Sequence, residues 1–188
     1  MDNSYKDLKE FYKNLKGLKF STAYLIRFSP NIQKAIEFLK SNKSNKYEFE
    51  VIWKKDRGNA RPSAGVHIDE ATHSIDIILS HILPKIGIIP NKIILNNINT
   101  KFSNKQINIE EQKKIYGNKL NRPSGEIRYE YLIPKYNTII KGFSSFLNGP
   151  QERKIIIKTQ KHRLELIYDF EKKDIIIIKE NENNNIIY

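Results

Sequence analysis

Two short strings in this sequence combine residue types that bind anions. Arg61-Pro62-Ser63-Ala64-Gly65 and Arg122-Pro123-Ser124-Gly125-Glu126 share the order Arg-Pro-Ser. Arginine presents a planar fork that matches a phosphate or a carboxylate, serine adds a hydroxyl, and small neighbours let backbone N–H groups approach a ligand. The glycine spacings of Walker loops and dinucleotide fingerprints are absent. We therefore predict that each string binds an anion, with an ordinary turn as the alternative.

The two strings stand out against a biased composition. Isoleucine, lysine and asparagine, with 32, 26 and 20 residues, fill 78 of the 188 positions, which indicates an AT-rich genome. Four of the seven arginines nevertheless lie in or beside the strings. The predicted anion-binding residues are Lys54, Lys55, Arg57, Arg61, Ser63, Arg122, Ser124 and Arg128.

Three of the four histidines follow the first string, at positions 67, 73 and 81. Histidine titrates near neutral pH and is the most common general acid or base. An RNA-cleaving site needs a base for the 2′-hydroxyl, an acid for the leaving oxygen and cations for the phosphorane. We predict that His67 and His73 are the catalytic acid and base. Lys54 and Arg61 are of the right type to supply the cations.

The same histidines permit two other interpretations. His67, Asp69 and His73 have side chains that can ligate a divalent ion, but their spacing matches no strong metal-site signature. Each histidine can equally be a polar surface residue or a helix-capping residue. We therefore predict neither a metal nor a cofactor.

The net charge of +12, from 33 basic and 21 acidic residues, favours a polyanion as partner. Aromatic residues beside lysines, as in Trp53-Lys54-Lys55, suit single-stranded nucleic acid. We predict a basic nucleic-acid-interacting protein, with RNA slightly preferred over DNA, and a metal-independent nuclease as the sharper form of this hypothesis. The alternative is a non-catalytic binding or assembly protein that docks onto a nucleoprotein or an acidic protein partner. Lysines that only maintain solubility would produce the same charge.

A third interpretation comes from the segment Arg128-Tyr129-Glu130-Tyr131-Leu132-Ile133-Pro134, which reads as a strand ending in proline. It resembles in outline the strand that carries the catalytic glutamate of ADP-ribosyltransferases. The resemblance implies that Glu130 is catalytic and that Arg27, on an early strand, binds NAD.

Length and composition predict one domain over residues 1–180, followed by a polar tail over 181–188. The chain has no cysteine and no apolar run long enough to span a membrane, and its first residues lack the layout of a signal peptide. We expect a soluble, cytoplasmic protein with no membrane contact.

Hydrophobic periodicity predicts an α+β fold: a mixed or antiparallel sheet with three to four helices and a C-terminal β-meander. The predicted helices cover residues 4–16, 30–39, 66–83 and 108–116. Within 66–83, residues 74–79 alone would also fit a strand. The predicted strands cover residues 20–28, 47–53, 92–98, 127–133, 153–158, 163–170 and 174–179.

Both Arg-Pro-Ser strings fall between predicted elements, one after Trp53 and one before Ile127. We predict that the two loops lie on the same side of the sheet and line one basic surface.

Overall fold

The computed structural model describes residues 25–54, 66, 70–102, 124–146, 151–168, 175–180 and 183–187. Eight strands form one mixed sheet: β1 (Tyr47–Lys54), β2 (Ile94–Phe102), β3 (Ser124–Ile133), β4 (Thr138–Ser145), β5 (Glu152–Lys158), β6 (His162–Tyr168), β7 (Ile175–Glu180) and β8 (Asn183–Ile187). Across the sheet they lie in the order β2-β3-β4-β1-β5-β6-β7-β8.

Two helices pack on one face of this sheet in the described part of the chain. The first, α1, covers Pro30–Ser41, with proline in its first turn, where the missing N–H is tolerated. The second, α2, runs without a break through Thr72–Asp76, Ile77–Ile82 and Leu83–Lys85, and its middle segment is a π-helix. Residues 70 and 71, directly before α2, are also helical. Single turns of 3-10 helix occur at Leu25–Phe28 and Pro134–Tyr136.

Strand alternation separates the core from a charged face. In β1 the residues Tyr47, Phe49, Val51 and Trp53 are buried, whereas the residues between them are partly exposed. The buried set joins one hydrophobic core with the apolar stripe of α1, which comprises Ile32, Ala35, Ile36 and Leu39. We call the other side of the sheet, which bears Glu48, Glu50 and Lys54 and which no described helix covers, the open face. The apolar face of β1 therefore lies on the side where the helices pack.

The strands β1 and β4 are parallel, and every other neighbouring pair is antiparallel. Both parallel strands stop at the same end of the sheet, where Lys54 pairs with Ser145. At this end β3 begins at Ser124 and β5 begins at Glu152. We call it the carboxyl end of the sheet.

The structure confirms the α+β class with a mixed sheet and the C-terminal meander, which is β5 to β8. It also confirms strands close to those predicted at 47–53, 92–98 and 127–133, and the helix predicted over 66–83 is α2. The prediction of three to four helices is wrong for the described residues, which contain two. The helices predicted at 4–16 and 108–116 lie outside the described residues.

Two local predictions are corrected. The end of the strand predicted at 20–28 is the 3-10 turn Leu25–Phe28, where Arg27 is bound by Asp76 of α2, so a tertiary ion pair outweighs local strand propensity. Residues 183–187, expected within the polar tail, form β8 and pair with β7. Backbone pairing with an existing strand does not require apolar side chains, which explains why an asparagine-rich segment joins the sheet.

The strand β4 was missed because glycine and serine occupy positions where strand formers are usual. Gly142 is required there by packing, since a Cβ at this position would overlap the ring of Tyr129 on β3. None of the described helices is long and apolar enough to cross a membrane. The expected cytoplasmic location stays a prediction.

Candidate functional site

A buried ion pair ties the start of α2 to the carboxyl end of the sheet. The side chain of Glu70 is 2% exposed, and its Oε2 lies 3.6 Å from Nη2 of Arg153. The Arg153 guanidinium lies 5.1 Å from the centroid of the Trp53 ring, which in turn packs against Tyr168. Strand register explains this arrangement, because Trp53, Arg153 and Tyr168 form one row across β1, β5 and β6 on the helix-bearing face.

A second contact holds the same face of this helix, four residues further along the chain. The Ser74 hydroxyl donates to the carbonyl of Ala71 at 2.8 Å and lies 2.5 Å from the Tyr129 hydroxyl. Because the serine proton is used within the helix, the tyrosine is the donor between the two hydroxyls. Burial raises the pKa of Tyr129 well above its ordinary value, an effect that the hydrogen bond with Ser74 only partly opposes. Tyr129 therefore keeps its proton at neutral pH.

His73 lies between these two contacts. It is half-buried and belongs to the first turn of α2, three residues after Glu70 and one before Ser74. Helical spacing places it at the edge of the buried stripe that Glu70, Ser74 and Ile77 form. The contact between Glu70 and Arg153 thus holds the helical turn that carries the predicted catalytic histidine at the carboxyl end of the sheet.

The structure places two predicted anion-binding residues elsewhere. Lys54 and Arg128 lie on the open face, on either side of the Phe143 ring, at 5.8 Å and 3.9 Å from its centroid. Because strand residues alternate between faces, the sheet separates both cations from the face on which α2 carries His73. The predicted grouping of Lys54 with His73 in one catalytic site is therefore not formed.

Both of these cations are also paired with acids. Lys54 Nζ lies 2.8 Å from Glu152, and Arg128 Nε lies 3.5 Å from Glu126. Neighbouring carboxylates lower the affinity of a cation for phosphate, because binding a second anion must overcome their repulsion.

The remaining charges of the open face alternate in sign. Glu48 pairs with Lys141 and Lys158, at 3.2 Å and 3.4 Å. Partial burial acts to raise the pKa of Glu48, but the hydrogen bond from Lys141 and the charge of Lys158 outweigh it, and the pKa ends below its ordinary value. Glu165 likewise pairs with Lys154 and Arg163, at 2.8 Å and 2.7 Å. The open face of the described sheet is therefore not uniformly positive.

The Arg-Pro-Ser strings themselves lie largely outside the described residues, as do Lys55, Arg57, Arg61, Ser63, His67 and Arg122. The strands that flank them are described. The first string follows β1, which ends at Lys54, and the second runs into β3, which begins at Ser124. Only β4 separates these strands, so their ends at the carboxyl end of the sheet lie about 10 Å apart. Whether the loops share one surface stays a prediction.

Sequence reasoning missed Glu70, Ser74, Tyr129 and Arg153. One of them, Arg153, could have been found from the rarity of arginine in this chain. In a chain with 26 lysines, the three arginines away from the strings all form ion pairs: Arg27 with Asp76, Arg153 with Glu70 and Arg163 with Glu165. Each of these arginines therefore marks an ion pair, and Arg27 binds its partner through two nitrogens.

The ADP-ribosyltransferase resemblance is not supported by the positions of its two residues. Arg27 lies in a 3-10 turn, not on a strand, and its guanidinium binds both carboxylate oxygens of Asp76. Glu130 lies on the open face, where its Oε1 accepts a hydrogen bond of 2.6 Å from Asn96. A catalytic glutamate and a dinucleotide-binding arginine would have to face one cleft, and these two face opposite sides of the sheet.

Comparison with known proteins finds similarity in fold only. No protein-family model matches the chain, and no curated protein does. Among solved structures, KijD10, a 3-ketoreductase from Actinomadura kijaniata solved with TDP-benzene and NADP, is 6% identical with a TM-score of 0.69, over 97% of this chain and 51% of its own. The UDP-N-acetylglucosamine 3-dehydrogenase GnnA from Acidithiobacillus ferrooxidans is 12% identical with a TM-score of 0.62, over 100% of this chain and 52% of its own.

A third similar structure, the dehydrogenase MviM from Clostridium difficile, is 12% identical with a TM-score of 0.60, over 88% of this chain and 44% of its own. The chain thus spans about half the length of the enzymes it matches. These neighbours have Gfo/Idh/MocA-like oxidoreductase folds. The predicted nucleic-acid-binding function, the nuclease and the transferase included, is therefore wrong: the chain folds like one half of these oxidoreductases.

Proposed function

We propose that this chain forms the substrate-binding half of an oxidoreductase that acts on a sugar linked to a nucleoside diphosphate. The observation that carries the proposal is the fold match, which covers nearly the whole chain and about half of each enzyme. Two of those enzymes are named for reactions at a 3-position, a 3-ketoreductase and a UDP-N-acetylglucosamine 3-dehydrogenase.

The described residues do not fit a nicotinamide dinucleotide. Dinucleotides bind to doubly wound parallel sheets, where a glycine-rich turn brings the pyrophosphate to a helix N-terminus. Here one of seven strand pairs is parallel, and α1 begins at Ser29-Pro30 with no glycine beside it. We therefore assign no dinucleotide contact to these residues. In the proposal the dinucleotide belongs to the half of the enzyme that this chain does not match.

The proton of the reacting sugar oxygen is assigned to His73. Interconversion of an alcohol and a ketone requires a group that takes this proton or returns it, whichever acceptor receives the electrons. His73 supports this role by its type, its half-buried position and its place at the carboxyl end of the sheet. The two Arg-Pro-Ser strings, whose flanking strands end there, would bind the diphosphate.

Titration of the chain with UDP-N-acetylglucosamine tests the proposal. We expect saturable binding by calorimetry, weakened about tenfold or more when Arg61 and Arg122 are both changed to Gln, because each loses charge-assisted hydrogen bonds. Arg163→Gln, which removes an arginine paired on the open face, is the matched control and should bind normally. The proposal would be contradicted if the chain bound none of the nucleotide sugars tested. So would NADPH binding that survives the loss of both arginines.

A further inference from the structure

We infer that Arg153 is a positioning residue for His73 and acts through the buried carboxylate of Glu70. The inference rests on the proposed function in one respect, the role of His73 as the proton-transferring group. The geometry on which it is built does not depend on that role.

Three strands build the support on which the Glu70 carboxylate rests. Arg153 comes from β5, the Trp53 ring beneath its guanidinium from β1, and Tyr168 from β6. Trp53 is 1% exposed and the Arg153 side chain is 17% exposed, so neither group has room to change conformation freely. The guanidinium is therefore held at one position relative to the sheet.

Stability does not account for the ion pair, because removing two charges from water opposes folding and well-packed apolar residues often serve at least as well. The Glu70 side chain is almost completely buried, whereas the other acids of the described ion pairs keep 10% or more of their side chains exposed. The ion pair is a directional contact, and it fixes the position of the helical turn that begins at residue 70. Apolar packing would not fix that position.

The position of His73 is fixed together with that of Glu70, because both belong to the same helical turn. Residues three apart on a helix lie on neighbouring sides of it, so a shift of Glu70 relative to the sheet carries His73 with it. The Tyr129 hydroxyl holds the same face of the helix at Ser74, four residues after Glu70. With one of the two contacts gone, the turn can rotate about the other. Displacement of a catalytic group by about 1 Å can lower turnover on the order of a hundredfold.

The imidazole resonances of His73, in protein labelled with ¹⁵N-histidine, test the inference directly. The chain has four histidines, so His73→Gln identifies the signal. We expect Arg153→Met to shift or split the His73 resonances and to leave those of His162 unchanged. Arg153→Lys, which retains a cation opposite Glu70, should return them toward their original positions.

Two further variants keep the test decisive. Glu70→Gln, which preserves the shape of the side chain, should shift the His73 resonances as Arg153→Met does. Combining Glu70→Gln with Arg153→Met should shift them no further, as expected for residues that act through each other. Glu70→Gln also serves if Arg153→Met does not fold. Lys154→Met is the control, since it removes an ion pair from the same strand on the open face. His73 resonances that remain unchanged in both Glu70→Gln and the folded Arg153 variants would overturn the inference.

The two proposals fail separately. Absence of nucleotide-sugar binding contradicts the proposed function, but it does not affect the outcome of the His73 resonance experiment. Resonances indifferent to Glu70 and Arg153 contradict the positioning role, whatever the chain binds.

Discussion

The ring of Tyr129 lies directly against the backbone of Gly142 on the neighbouring strand, in the space that a side chain at position 142 would fill. The pairing of β3 with β4 sets these residues opposite each other on the helix-bearing face. This contact directs the Tyr129 hydroxyl to Ser74 in α2. One glycine in the sheet thus determines how a tyrosine reaches the helix that carries His73.

Gly142→Ala should destabilise the protein by about 1–3 kcal/mol, the range for overpacking a well-filled core. The added methyl group displaces the Tyr129 ring, which is buried on every side. Urea unfolding measures the change. Ser144→Ala is the matched control, because Ser144 lies on the same strand and face, and its buried hydroxyl has no hydrogen-bond partner among the described residues. Equal stabilities of the two variants would contradict the prediction.

Tyr129→Phe should lower the free energy of unfolding by about 1 kcal/mol, through loss of its hydrogen bond to Ser74. The ring still fills the space beside Gly142, so the effect reports the hydroxyl alone. Hydrogen exchange of the amides of residues 70–74 should accelerate in this variant, since one contact of the turn is lost. Tyr131→Phe, in a half-buried residue of the same strand, is the control. Unchanged exchange in Tyr129→Phe would show that the hydroxyl does not hold the turn.

Glu165 should contribute to acid sensitivity. Burial acts to raise its pKa, but hydrogen bonds from Lys154 and Arg163 outweigh burial and place the pKa below the ordinary 4.5. A carboxyl with a lowered pKa in the folded state stabilises the fold above its unfolded pKa and loses that contribution as pH falls through the folded value. The stability difference between the wild-type chain and Glu165→Gln should therefore shrink below pH 4.5. A difference that is constant across this range would contradict the assignment.

His81 should lower the free energy of unfolding at a higher pH than Glu165 does, just below neutrality. Burial lowers its pKa below the ordinary 6.5, and the charges of Lys85 and Arg27 add to this effect. The Gln33 amide lies 3.3 Å from Nε2 of the ring and can donate to it only while the ring is neutral. Because the unfolded chain takes up the proton first, stability decreases as pH falls through 6.5. His81→Gln should flatten the dependence of stability on pH in this range, measured by urea unfolding at several pH values. A pH dependence that His81→Gln leaves unchanged would contradict the assignment.

Local pattern predicted those elements in which it is strong. The alternation of β1 and the helical period of 66–83 identified a strand and a helix because burial of one face requires them. The strand β4 was missed because its glycine is selected by a contact with Tyr129, a residue on another strand. The 3-10 turn before α1 was missed for the same reason, since Asp76, which binds Arg27, is distant in sequence.

The catalytic role of His73 stays a prediction. His73 was selected for its chemistry and for its place after an unusual string, and the structure puts it at the carboxyl end of the sheet. Lys54 was expected beside it but lies on the opposite face. Trp53, one position earlier on the strand, does lie on the helix-bearing face. Lys54 was misplaced because the sequence does not specify which face of the strand points toward the helices.

The sequence by itself determined the α+β class, the C-terminal meander and the alternation of β1 between an apolar and a polar face. These follow from periodicity, which is a local property. Only the tertiary structure decided that Arg153 meets Glu70 and that Tyr129 meets Ser74, the two contacts that hold the turn carrying His73. Each pair joins residues from distant parts of the chain, and their meeting depends on strand order and register, which alternation alone does not specify.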